Sequence, residues 1–190
     1  MQRLTNATRY KILGLLNAFM AYPFIAVSIA LSPWFNIYDN ALSDLGNVAR
    51  NGTIALIYNS GLILTGSFAT LLAIVVSVQH PSWKYHSWTM PLMATGLSLS
   101  LIGFFPEDAG RMHGLVSMLF FGLIAITMLI YSYSSWPLGS PRAGAVALTF
   151  GIACPIVWLI EWPWHGVAIQ ETLTSAMMTV WLIMVSLRNV

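Results

Sequence analysis

Six stretches of this chain are each long and apolar enough to cross a lipid bilayer, and nothing else in the sequence constrains it as tightly. They run approximately over residues 12–32, 54–78, 87–105, 113–133, 143–160 and 172–187. A membrane helix needs ~20 mostly apolar residues, at ~1.5 Å of rise each, to cross a hydrocarbon core of ~30 Å. Lipid offers the backbone no hydrogen-bond partner, so only helices and closed barrels span it. None of the stretches alternates with the two-residue period of a barrel strand. The expected fold is therefore all-α: a polytopic integral membrane protein, one compact bundle of six transmembrane helices in a single domain over residues 1–190.

Composition closes off the other classes. Hydrophobic residues make up 57% of the chain and charged residues only 7%, against roughly 25% charged in soluble domains. Such a chain cannot cover a water-facing surface, which excludes a soluble enzyme, a nucleic-acid binder and a disordered linker. The net charge of +2 is too small to argue for nucleic acid and instead reports orientation. Arg3, Arg9, Lys11, Lys84, Arg142 and Arg188 fall on one side of the expected bundle, with Arg50 and Arg111 opposite. Positive loops stay inside, so both termini are expected in the cytoplasm of a cell-membrane protein. The first stretch has basic residues in front, as a signal peptide would. Asn17 and Pro23 interrupt its long apolar run, and it reads as a helix. The single cysteine, Cys154, allows no internal disulfide.

All six acids, Asp39, Asp44, Glu107, Asp108, Glu161 and Glu171, fall on the outer side under this topology, joined by His113 and His165. Acids hardly steer insertion, so their segregation suggests that any polar site opens outward. Each has a plainer reading beside the functional one. Ser43 and Asp44 lie in a loop rich in Asn and Asp, where the segment is either a simple turn or folds inward to a cavity. Glu107 and Asp108 after Pro106 form a standard helix start, accepting from unpaired N–H groups; His113 is not explained by that. Glu171 at the start of the last stretch is a cap or faces the bundle interior, where ionisable groups signal function. Asn59, about 8 Å deep at helical rise, is either interhelical glue or the floor of a cavity. Ser117 reads as packing or a helix-to-helix bond. Gly61, Gly66, Gly103 and Gly122 are expected to allow close helix approach.

The segments Leu42-Ser-Asp-Leu-Gly46, Ile57-Tyr-Asn-Ser-Gly-Leu62 and Gly103-Phe-Phe-Pro-Glu-Asp108 with His113 occur in that order. Together they resemble the membrane family called domain of unknown function 998. The resemblance implies a six-helix bundle and marks Ser43, Asp44, Gly46, Asn59, Gly61, Pro106, Asp108 and His113. It also implies a Glu-Arg pair starting the last helix with a tryptophan ten residues on. Here Glu171 and Trp181 keep that spacing, but Thr172 replaces the arginine. The family carries no reaction to transfer.

The first functional expectation is an outward pocket that binds or modifies an amphipathic ligand such as a lipid head group. Ser43, Asp44, Asn59, Glu107 and Asp108 are its expected binding residues, with Glu171 and His113 as catalytic acid–base groups. Asp44, Asp108 and His113 together suit a divalent metal as the cofactor. Membrane lipids are the expected partners, a second copy of the chain another, and nucleic acid none. The alternative is a non-catalytic structural or regulatory bundle whose acids are caps. Transport of a small solute or ion ranks below both, because mid-membrane charges and an inverted repeat are missing.

Overall fold

The computed structural model describes residues 2–187, with side chains from Tyr10 onward. Arg188 lies outside the described residues, as do the side chains of Arg3 and Arg9, so these three cations enter no structural statement. Among the described residues the fold is all-helical, built on six long helices. They are α1 (Gln2–Ala30), α2 (Ala55–Gln79), α3 (Trp83–Phe104), α4 (Arg111–Ser135), α5 (Pro141–Leu159) and α6 (Ala168–Leu187). Five of them, all but α3, are both long and apolar enough to cross a membrane. At 22 residues α3 has the length, but Lys84, His86 and a run of Ser and Thr lower its apolarity. The chain is a multi-pass membrane protein.

Each helix packs on its neighbours in sequence, and α1 packs on both α2 and α6, so the six close into a ring. Small residues set the closest approaches. A Cβ at Gly66 on α2 would sit 2.3 Å from the Gly96 carbonyl oxygen on α3, and one at Gly103 would sit 2.4 Å from the Asn59 carbonyl. At Gly61 it would sit 2.4 Å from the Phe24 Cβ of α1. Lipid tails are as apolar as leucine, so this close packing and polar pairs between helices hold such a bundle together. Thr95 of α3 meets Thr127 of α4 at 3.1 Å, Ser87 meets Ser134 at 2.7 Å, and Tyr22 of α1 meets Thr179 of α6 at 2.9 Å. Trp88, Tyr131 and Trp181 cross one another edge-to-face at 5.2–6.1 Å in the interior.

The end of the bundle nearer the termini is tied by Tyr10, whose hydroxyl donates to Gln79. Beside it His80 stacks on Tyr85 at 4.4 Å between ring centroids. Burial holds the His80 pKa below its ordinary value of 6.5, because desolvation disfavours the charged imidazolium. The unfolded chain therefore binds more protons on the acid side. The stability His80 contributes is complete above pH ~6.5 and is lost as the pH falls below it. Melting temperatures at pH 7.5 and 5.5 should differ less in His80→Phe than in the wild type; equal differences would remove His80 as the cause.

Candidate functional site

At the opposite end the long first connection, residues 31–54, folds back over the mouth of the ring instead of looping away. Its centre is a 3₁₀ turn, Leu42–Gly46, with Leu42, Ser43, Leu45 and Gly46 buried. Backbone polar groups that leave water need partners, and Leu42, Leu45 and Gly46 find theirs outside the turn. The Asp44 carboxylate accepts from the Asn40 side chain at 2.9 Å and from the Ala41 N–H at 3.2 Å. Asn59 of α2 donates to the Gly46 carbonyl at 2.9 Å, and Asn51 to the Leu45 carbonyl at 2.9 Å. The Glu171 carboxylate of α6 accepts the Leu42 N–H at 2.5 Å. Two backbone bonds fasten the same loop to the last connection: Gly166 N–H to the Tyr38 carbonyl at 2.7 Å and Ala168 N–H to the Asn40 carbonyl at 3.0 Å. Gly46 and Gly166 have no room for a side chain. A Cβ would come within 2.3 Å of the Asn59 amide oxygen and 2.4 Å of the Asn40 backbone respectively.

The connection between α3 and α4 braces the other flank. Glu107 accepts from the Asn47 side chain, and Asp108 accepts the Val48 N–H at 3.0 Å. Both acids thus serve the first connection. α4 itself begins behind Gly110, at φ 60°, with no side-chain cap.

His113, one turn into α4, is buried and held at both ring nitrogens. Nδ1 lies 2.8 Å from the Phe105 carbonyl oxygen and Nε2 lies 3.2 Å from the Ser117 hydroxyl. A carbonyl only accepts, so Nδ1 carries the proton, and in the neutral ring Nε2 accepts from Ser117.

Two cavities meet at this level. The larger, about 500 Å³, lies between α4 and α5 and is headed by Ser43, His113, Ser117 and Glu171. Met118, Phe121, Cys154, Pro155 and Trp158 make its apolar wall. Gly114, Met118, Gly122, Pro155 and Trp158 are exposed, so the cavity opens on the outside of the bundle. The smaller, about 110 Å³, runs inside the ring past Tyr58 to Asn17, whose amide oxygen is buried with no hydrogen-bond partner among the described residues. Ser43, Ser117, Phe121 and Glu171 line both and form the wall between them.

Of the residues expected from the sequence, the structure brings Ser43, His113 and Glu171 to one cavity. Asp44, Asn59, Glu107 and Asp108 line neither cavity; each is engaged in holding the loops. The metal set Asp44, Asp108 and His113 is not assembled, since each faces a different partner and both ring nitrogens of His113 are engaged. Among the described residues no group of three or more His, Cys, Asp or Glu is placed to hold a metal ion. Gly122 departs from the expected role of close helix approach. A Cβ there, as at Gly114, would meet nothing within 4 Å. Ser117 was legible only as a serine four residues after His113, one helical turn on and on the same face.

The chain matches the family described as protein of unknown function (DUF998) over residues 15–188. It belongs to that family. No curated protein and no solved structure matches the chain. The residues by which this DUF998 chain resembles its family gather at the mouth: Asp44 and Asn59 shape the 3₁₀ turn, Asp108 braces it, and Ser43 and His113 face the cavity. Where a DUF998 arginine is expected, Thr172 donates to the Ala168 carbonyl of its own helix at 2.6 Å. The Glu171 carboxylate beside it accepts the Leu42 N–H.

Proposed function

We propose that this DUF998 protein is a six-span cell-membrane protein with both termini in the cytoplasm, and that it binds or modifies an amphipathic lipid in the cavity between α4 and α5. α2 and α4 are both apolar enough to cross. α3 joins their opposite ends through short connections and, at 22 residues and ~1.5 Å of rise each, has the reach to be the sixth span. Lys11, Lys84 and Arg142 lie at the end near the termini, against Arg50 and Arg111 at the mouth, which supports cytoplasmic termini.

One observation carries the lipid reading. A cavity of about 500 Å³ opens to the lipid face, apolar along its length and polar only at the mouth. That size is in the range of ~300–1,000 Å³ typical of ligand sites, and its shape follows a lipid: chain in the apolar part, head group at Ser43, His113 and Glu171. Gly114 and Gly122 leave open space that the protein itself does not fill. Protein in native nanodiscs is expected to retain lipid that survives transfer into detergent and is detected by mass spectrometry. Gly122→Trp, whose Cβ would meet nothing within 4 Å and whose indole adds bulk beside the cavity, is expected to lose it with little change in melting temperature. Retention in the variant equal to wild type would remove the cavity as the site.

A structural role is the second reading, favoured by the fact that Asp44, Asn59, Glu107 and Asp108 are all occupied in fastening loops. It requires no retained lipid, so the same measurement separates the two.

A further inference from the structure

Resting on the lipid-binding reading, we infer that the cavity is an acyl-transfer site in which Ser117 is the nucleophile and His113 its general base, acting on carboxylic esters of long-chain amphiphiles. A hydroxyl nucleophile is activated by a base within hydrogen-bond reach that is itself oriented by a third group. That sequence of groups is present: Ser117 Oγ at 3.2 Å from His113 Nε2, and His113 Nδ1 at 2.8 Å from the Phe105 carbonyl. The carbonyl fixes the tautomer, leaving the lone pair of Nε2 directed at the hydroxyl.

Helical spacing alone brings residues four apart together, and a serine in a helix commonly bonds the carbonyl one turn back. Thr65, Thr95 and Ser98 of this chain do so. Ser117 donates to the imidazole instead, and does so on the wall of both cavities. A second hydroxyl heads the same cavity. Ser43 is 8% exposed, and among the described residues nothing hydrogen-bonds its side chain. The apolar wall beyond, open to lipid beside Gly114 and Gly122, suits the acyl chain.

The step balances without a further reagent class beyond the acceptor. Ser117 Oγ forms a bond to the ester carbonyl carbon as its proton passes to His113 Nε2. The Ser43 hydroxyl is the donor available to the carbonyl oxygen while negative charge develops there. The ester C–O bond breaks, and the leaving alkoxide takes the proton from His113. Water, or the hydroxyl of a second lipid, then gives its proton to Nε2 and its oxygen to the acyl carbon; the acyl–Oγ bond breaks, and Nε2 returns the proton to Oγ, restoring Ser117 and the neutral imidazole.

The test is a long-chain alkyl fluorophosphonate applied to the purified protein, with the adduct mapped by peptide mass spectrometry and bound lipid measured in the same sample. The expected result is a phosphonyl adduct on Ser117, absent in Ser117→Ala. His113→Asn is expected to form it at least ~100-fold more slowly, the lower range of general-base contributions. An adduct on Ser43 instead, or equal rates in wild type and His113→Asn, overturns the assignment. Retained lipid with no adduct in the wild type ends this inference and leaves lipid binding standing, whereas loss of both ends both. If His113→Asn does not fold, the position of the wild-type adduct still decides.

Discussion

Gly66→Leu is expected to abolish the assembled bundle. The first added carbon alone would sit 2.3 Å from the Gly96 carbonyl and 2.5 Å from the Ser100 backbone nitrogen, and neither can rotate away as a side chain would. Overpacking typically costs ~1–3 kcal/mol, occasionally more. Here the strain falls on two backbones, so the cost is expected at about 3 kcal/mol or above, against total stabilities of ~5–15 kcal/mol. The readout is loss of the monodisperse peak in detergent size-exclusion, or a large drop in melting temperature. Gly114→Ala is the control. It adds a carbon where nothing lies within 4 Å, and its melting temperature is expected to hold or rise slightly, since alanine favours helix over glycine. A comparable loss in both would show that the α2–α3 approach is not what glycine serves.

The second large effect is at the mouth. Glu171→Ala leaves the Leu42 N–H buried without its acceptor, and an unpaired buried donor costs about 1–3 kcal/mol. Because this bond joins α6 to the first connection, the loss is expected to be local before it is global. Hydrogen exchange across residues 36–47 should accelerate by ten- to a hundredfold, the factor about 1.4–2.7 kcal/mol represents, while the interior of α3 keeps its protection. Glu171→Gln preserves an acceptor oxygen and is expected to restore most of the protection. Unchanged exchange in Glu171→Ala would mean that the two backbone bonds from Gly166 and Ala168 hold the loop without it.

The long helices were legible because lipid imposes a length and an apolarity that no other environment demands. α3 sits at the margin of that signal, its serines and threonines facing α2 and α4 through bonds such as Ser100 to the Ile63 carbonyl. The mouth was legible in its residues and not in their partners. Asp108 was expected to serve its own helix, yet it accepts the N–H of Val48, sixty residues earlier. Asn59 was open between interhelical glue and cavity floor, whereas its amide donates to the Gly46 carbonyl of the 3₁₀ turn, tying a helix to a loop. Such pairings depend on how a loop folds over other helices, which local periodicity does not encode. Gly122 was misread for a related reason: a small residue looks the same whether it admits another helix or leaves a space. Only neighbours in three dimensions tell these apart.

The way the first connection is fastened also dictates an order of assembly. Its acceptors and donors at Tyr38, Asn40 and Leu42 find their partners only at Gly166, Ala168 and Glu171, more than a hundred residues downstream. Its fastenings to Asn59, Glu107 and Asp108 come earlier in the chain, so during synthesis the loop can be held on that flank first and on the other only once the final helix has been made. A chain halted before α6 would leave that loop without the second set of fastenings and the ring open between α5 and α1.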